Sequence, residues 1–274
     1  VAVDGVNGAS SLMTPRFLRD DLNCEVEAIS CDPTKPFPRV AEPRPETLGE
    51  LAALVRRTGA DAGFAHDPDG DRLAVCDELG RVLDNDDVLA LVVDAALERL
   101  PGDVVVNLTT SSVIDDIAAR HGRRVWRTPV GEANVVETMR AVKAVIGGEG
   151  SNGGIIFPPV HLCRDSYTGM AFLLARMVST GKTVSELAAG LPRYYRRLGQ
   201  VAYEHGRLGS LMQALEERFP DAATDRSDGL KLMWPGRWIH VRSSNTEPIL
   251  RLAAEARSEE EVEALLRQIG TEVP

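Results

Sequence analysis

Three aspartates hold alternate positions in the stretch AHDPDGDRLAVCDE, residues 65–78: Asp67, Asp69 and Asp71, with Pro68 and Gly70 between them and Arg72 directly after. Like charges this close resist ionising beside one another, so the cluster calls for a positive partner. A hard divalent cation fits. Mg2+ takes a few hard oxygens in near-octahedral geometry and keeps positions for water or phosphate. One oxygen from each aspartate would leave such positions open. Two other readings stand beside this one. An EF-hand loop begun at Asp67 would put Glu78 at position twelve, but Arg72 then falls at position six, where that loop needs glycine, and the flanks read as strands. A solvated acidic turn is the other, although Pro68 and Gly70 shape the loop at a strand end.

Two further stretches carry groups with a chemical purpose. In GGEGSNGG, residues 147–154, Glu149, Ser151 and Asn152 offer acceptors and donors on a backbone freed by five glycines. Such alternation suits sugar hydroxyls, but glycine-rich turns are common. In RSSNTEP, residues 242–248, Arg242 supplies a fork of donors, and Ser244, Asn245 and Thr246 add short ones beside backbone N–H groups. A phosphate needs that convergence; a polar hairpin turn is the plain alternative. Glu132 in TPVGEANV reads either as a site residue or as a carboxylate favoured at a helix start. Arg164 and Asp165 in HLCRDS read either as site residues or as a local ion pair or N-cap.

The elements that must position these loops alternate. VAVD (1–4), VEAIS (26–30) and ADAGFAH (60–66) read as strands, separated by helical patterns at 12–22 and 45–59. The same order returns with strands at 103–108, 123–128 and 143–148 and helices at 111–122 and 131–142, introduced by a helix at 86–100. Strands alternating with amphipathic helices imply βαβ units and mainly parallel sheets. Ligands bind such sheets beyond the carboxyl ends of the strands, where both the aspartate loop and the glycine-rich loop fall. Two helices close the second unit near residue 192. From about 198 the pattern becomes α+β with antiparallel hairpin character. The expected fold is therefore α/β, with two mixed, mainly parallel βαβ domains at 1–85 and 86–197 and a smaller α+β domain at 198–274 carrying the phosphate-type loop.

The 274 residues, 43% of them hydrophobic and 26% charged, make an ordinary globular composition with room for two or three cores. A net charge of −10 excludes a general nucleic-acid binder. Cys24, Cys31, Cys76 and Cys163 form no C-x-x-C pair, so reduced, mostly buried thiols of a cytoplasmic protein are expected. No apolar run is long enough to span a membrane. The chain opens in mid-strand without an initiator Met, which implies that an N-terminal portion is missing.

DPDGDR, GEGS and RSSNTEP, in this order, resemble the metal-binding, sugar-specificity and phosphate-binding loops of the α-D-phosphohexomutase family, which includes phosphomannomutase/phosphoglucomutase and phosphoglucosamine mutase. The opening VAVDGVNGASS resembles the start of that family's second domain. The resemblance covers nearly the whole chain. It implies the second, third and fourth of four domains, with the first domain, which carries a phosphoserine in a Ser-His-Asn-Pro type loop, as the absent partner. No such sequence occurs here; Ser10, Ser11, Ser111, Ser112 and Ser151 lie in other contexts. SNGG stands where many members have Ser-Gly-His, which leans toward the archaeal-type members.

The resemblance further implies a reversible hexose 1-phosphate to 6-phosphate interconversion through a bisphosphorylated sugar, with small hexose phosphates as substrates. Asp67, Asp69 and Asp71 would hold Mg2+, and Arg72 would stabilise the transferring phosphoryl group. Glu149 and Ser151 would hold sugar hydroxyls. Arg242, Ser244, Asn245 and Thr246 would grip the phosphate that is not reacting. The competing class is a sugar-phosphate binding module without turnover, which is what these residues alone are expected to be.

Overall fold

The structure is a computed structural model and describes residues 1–203, 208–244 and 249–270. These form two compact units. One comprises Val1–Arg127 and Gly131–Leu191; the other runs from Pro192 onward and takes in Thr128–Val130.

The first unit contains both βαβ halves. The first half consists of β1 (Ala2–Asp4), α1 (Met13–Arg16), β2 (Glu27–Ile29), α2 (Gly49–Thr58), β3 (Ala62–His66) and β4 (Leu73–Asp77). Its sheet runs β2-β1-β3-β4. β1 is parallel to β2 and β3, and β4 returns antiparallel to β3. β3 and β4 are buried along their whole length, and α2 lays Leu51, Ala52, Leu54 and Val55 onto the core. The helix expected over 12–22 is shorter than its pattern: α1 ends at Arg16 and Phe17–Asp21 forms a π turn.

α3 (Asn85–Leu97) then leads into the second half. It is apolar nearly all round and buried nearly all round, as a helix packed on several sides must be. β5 (Val104–Asn107), α4 (Val113–Arg120), β6 (Val125–Thr128), α5 (Glu132–Val142), β7 (Ile146–Glu149) and β8 (Gly154–Ile156) follow, with sheet order β6-β5-β7-β8. β5 is parallel to β7, and β8 is antiparallel to it. α6 (Ser166–Thr180) and α7 (Val184–Ala189) close the unit. The two halves thus repeat one topology, and the mixed character of each sheet comes from the antiparallel edge strand after the loop.

The second unit is α+β: β9 (Tyr195–Ala202), α8 (Leu208–Arg218), β10 (Ala223–Asp225), β11 (Leu230–Trp234), β12 (Arg237–Ser243), β13 (Ile249–Ala256) and α9 (Glu259–Gly270). Its antiparallel sheet, β10-β11-β12-β13-β9, packs Leu230, Leu232, Ile239, Val241, Leu250 and Leu252 against Met212 and Leu215 of α8 and Val262, Leu265 and Ile269 of α9.

Of the four thiols, all free, only Cys76 is buried; Cys24 and Cys31 are half-buried and Cys163 is exposed. The expectation of mostly buried thiols is corrected accordingly: Cys163 lies in a loop before α6, outside any core. No helix among the described residues is long and apolar enough to cross a membrane.

Candidate active site

β3 carries the chain to His66 and the aspartate loop turns it back into β4. Asp67, Pro68 and Gly70 fall at the first, second and fourth places of a tight turn, the residue types that a type I turn favours there. The turn closes with Gly70 N donating to Asp67 O at 3.1 Å. Gly70 has φ +79°, and a Cβ there would lie 2.8 Å from Ser10 Cβ. The loop after β1 braces the other side: Ala9 N donates to Pro68 O at 2.7 Å, and a Cβ on Gly8 would meet that oxygen at 2.5 Å. Only glycine fits either position. In the same loop Val6, a β-branched residue, adopts φ +49° and Asn7 φ +55°. Asp4 Oδ1 accepts from Val6 N at 2.9 Å and helps hold that strained turn.

The three aspartates converge, with one ligand oxygen from each lying within 4.8 Å of the others. Asp67 is buried, Asp71 half-buried and Asp69 exposed. Burial, and then the negative charges of Asp71 and Asp69, push the Asp67 carboxyl up to about 6, against a lowering hydrogen bond from Arg72 N. Asp71 Oδ1 is buried and has no hydrogen-bond partner among the described residues. Mutually repelling carboxylates and a buried oxygen without a hydrogen bond fit a hard divalent cation, which would be held by Asp67, Asp69 and Asp71.

Guanidiniums surround the cluster. Arg72 donates from N to Asp67 Oδ1 at 3.1 Å, places Nε 3.2 Å from Asp67 Oδ2 and donates from Nη1 to Glu42 Oε1 at 3.1 Å. Arg164 places Nη2 2.6 Å from Asp71 Oδ2 and Nε 2.9 Å from Glu132 Oε2. Arg39, 10% exposed, bridges Asp4 Oδ2 at 2.7 Å and His66 O at 2.9 Å. It fastens the long segment that delivers Glu42. Behind the loop, Thr14 Oγ1 lies 3.0 Å from His66 Nε2 and donates to Tyr167 Oη at 3.1 Å. Burial holds the His66 imidazole down to about 4, so it is neutral.

The glycine-rich loop has a different economy. Glu149, at the end of β7, is 3% exposed, and its Oε1 accepts from Asn107 Nδ2 at 2.8 Å and Gly131 N at 2.9 Å. Gly150 N donates to Thr110 Oγ1 at 3.1 Å. Ser151 and Asn152 lie half-buried on a 3-10 turn beyond it. The two loops meet directly: Leu73 N donates to Gly153 O at 3.1 Å, and Arg72 pairs with Gly154 in an antiparallel bridge. The aspartate and glycine-rich loops, read separately in the sequence, are therefore joined edge to edge.

In the second unit, β12 carries Arg242 opposite Arg251 of β13. Like charges placed directly across strands are unfavourable, and a bound anion would relieve them. Ser244 N donates to Ile249 O at 2.9 Å at the base of the donor loop. Asn245 and Thr246 lie outside the described residues.

Sequence reasoning left several residues of this site unassigned. Arg164 is neither a local partner nor a cap; it reaches Asp71, far away in the sequence, while Asp165 is the N-cap of α6. Glu132 sits in the first turn of α5, as a helix-start carboxylate would, and also takes Arg164. Glu42, Arg39, Thr14, Ser166 and Tyr167 gave no motif signal. A usable hint was the pair of charges among the prolines of PFPRVAEP.

Comparison with known proteins follows the same division of the chain. Residues 1–80, 84–195 and 209–271 match the family descriptions "Phosphoglucomutase/phosphomannomutase, alpha/beta/alpha domain II", "alpha/beta/alpha domain III" and "C-terminal domain". A "Probable phosphoglucosamine mutase" of Methanopyrus kandleri is 38% identical over 269 residues, and a "Phosphoglucomutase/phosphomannomutase" of Thermococcus kodakarensis 39% over 269. Each match covers 97% of this chain and 59% of the relative. A crystal structure of a phosphoglucomutase/phosphomannomutase family protein from Burkholderia thailandensis superposes with TM-score 0.83 at 25% identity, covering 98% of this chain and 59% of that one. The loop order, the paired βαβ halves and these matches agree, and the chain belongs to the α-D-phosphohexomutase family.

Proposed function

We propose that these residues form the cation, sugar and phosphate-holding parts of a phosphohexomutase that interconverts hexose 1-phosphate and hexose 6-phosphate of the mannose/glucose type. The observation that carries the reading is the convergence of three carboxylates at a sheet's carboxyl edge, joined to a loop of neutral donors. A bound Mg2+ supplies charge neutralisation for phosphoryl transfer. Asp67, Asp69 and Asp71 hold that ion. Arg72 faces the transferring phosphoryl group as its bond to the phosphoserine oxygen breaks and a bond to a sugar hydroxyl oxygen forms, the hydroxyl proton ending on the freed serine oxygen. Glu149 and Ser151 bind sugar hydroxyls. Arg242, Ser244, Asn245 and Thr246 grip the phosphate that does not react, and that remote binding energy orients the reacting end. The serine comes from a further domain of the same protein, since these residues contain no serine in a suitable loop. The protein acts in the cytoplasm, consistent with four unpaired cysteines.

A second reading of the substrate rests on the relatives' names: one 38% identical relative is called a phosphoglucosamine mutase. The test is a coupled assay of the full-length protein with mannose, glucose and glucosamine 1-phosphates, Mg2+ and a sugar bisphosphate activator. Turnover of the first two above the third is expected. Preference for glucosamine 1-phosphate would replace the substrate, and no turnover of any would leave a binding module. Residues 1–274 alone should not turn over; activity from them, abolished by Asp69→Asn, would place the nucleophile inside this chain.

A further inference from the structure

The aspartate loop belongs to the first βαβ half, yet several of the groups that hold it come from the second. Ser166, 1% exposed, donates from Oγ to the carbonyl of Gly70 at 2.7 Å. That carbonyl belongs to the residue between Asp69 and Asp71, at the one position of the turn with positive φ. Arg164 takes Asp71 Oδ2; Oδ1 is buried, has no hydrogen-bond partner among the described residues and lies 3.9 Å from Arg72 Nε. Tyr167 takes the Thr14 hydroxyl that also meets His66, the residue before Asp67. Asp165 accepts from Tyr167 N at 2.9 Å and Thr168 N at 3.2 Å, which fixes the turn that carries the other three. Four consecutive residues, RDSY, thus lock one helix start; two of them, Arg164 and Ser166, grip the loop directly at Asp71 and Gly70, and Tyr167 reaches only its approach, through Thr14 to His66.

We propose that the first turn of α6 positions the cation loop and that Ser166 is a positioning residue for it. Its hydroxyl holds the Gly70 carbonyl and thereby the backbone that sets the spacing of Asp69 and Asp71. The inference rests on reading that loop as a cation site. Arg164 serves the same end but tests it poorly: removing Arg164 loses the orientation of Asp71 and also removes a positive charge that repels a cation, two effects of opposite sign. Ser166 is neutral, so Ser166→Ala deletes the hydrogen bond without changing the local field.

The experiment uses Mn2+ as the probe on the full-length protein, with free Mn2+ read by electron paramagnetic resonance and Mg2+ followed by competition. Outer-shell changes at metal sites typically cost 10–100-fold in affinity, so Ser166→Ala should raise the Mn2+ Kd about tenfold. Met139→Ala, which hollows the separate core formed with Val105, Val135 and Ile156, controls for general destabilisation. It should lower the thermal midpoint and leave the Mn2+ Kd unchanged. A Ser166→Ala Kd within about twofold of wild type, or an equal weakening in Met139→Ala, overturns the inference while leaving the cation site standing. Failure of the wild-type protein to bind Mn2+ removes the cation reading and this inference together.

Discussion

The two βαβ halves share a strand order and place a loop at the same point, between the third strand and its antiparallel return. What they do with charge differs. After β3, three carboxylates crowd together and their counter-charges are guanidiniums at the loop's margin, Arg72 and Arg164. After β7, the one carboxylate, Glu149, turns inward and is bound by Asn107 and Gly131. The first loop crowds three carboxylates around one point, while the second has a single buried carboxylate with one oxygen, Oε1, tied to the scaffold. On the proposed reading, one fold element serves a cation in the first half and a sugar in the second.

The sharpest way to break that contrast is to alter one loop and read the other's ligand. Asp69 is the exposed member of the cluster, so Asp69→Asn should fold normally. Loss of a ligand exceeds an outer-shell change, and Mg2+ affinity should fall at least about 100-fold. Ser151→Ala should leave Mg2+ affinity intact and raise KM for the sugar phosphate. Calorimetry with Mg2+ on both variants decides. Equal Mg2+ affinities in the two would mean that the loops are not specialised.

Much of this was legible in the sequence because local rules carry it. The alternation of strand and helix gave both halves, and Asp, Pro and Gly at fixed offsets gave the turn. β8 and β10 were not read as separate strands, because each is three residues long and shows no usable period. The braces escaped for another reason. Arg164 to Asp71, Ser166 to Gly70 and Thr14 to Tyr167 join residues more than 90 positions apart, and no local pattern encodes such a meeting. Glu149 shows the converse limit. Its residue type drew notice to the loop, but its hydrogen bonds depend on β5 and the start of α5.

The phosphate-type loop extends the comparison to a third region, where donors replace acceptors. A charge-assisted fork is worth about 1.5–3 kcal/mol, roughly 10- to 150-fold. Arg242→Ala in the full-length protein should therefore raise KM by that factor for both the 1-phosphate and the 6-phosphate. Steady-state kinetics in the two directions checks it. A change confined to one direction would show that Arg242 serves one substrate orientation only.

Charge also gives the aspartate loop a pH dependence that the glycine-rich loop should lack. Burial and its neighbours raise Asp67 to about 6. Below that value the cation must displace a proton, so Mg2+ affinity should fall about tenfold per pH unit, and above it should be flat. Global stability is a blunt readout of the same titration. A raised carboxyl favours the metal-free folded state as pH falls from about 6 toward its ordinary value. The neighbouring His66, held down to about 4 by burial, disfavours it from about 6.5 downward. The two contributions oppose each other over the same window. Mg2+ titrations at several pH values isolate the first; a flat profile from pH 7 to 5 would show that Asp67 is not a ligand.

The smallest effect expected concerns what ties the halves together behind the loop. Thr14 Oγ1 is shared by His66 and Tyr167, and Thr14 is fully buried. Thr14→Val keeps the shape and removes the hydroxyl, leaving His66 Nε2 and Tyr167 Oη without that partner. Two polar groups stripped of one partner should cost about 1–3 kcal/mol in urea unfolding. Tyr167→Phe removes one hydrogen bond and leaves Thr14 still paired with His66, so it should cost less, about 1 kcal/mol. Because His66 precedes Asp67 directly, Thr14→Val should also weaken Mg2+ binding slightly, whereas Tyr167→Phe should not. Equal unfolding costs for the two variants would show that the His66 contact contributes nothing and that Thr14 only joins α1 to α6.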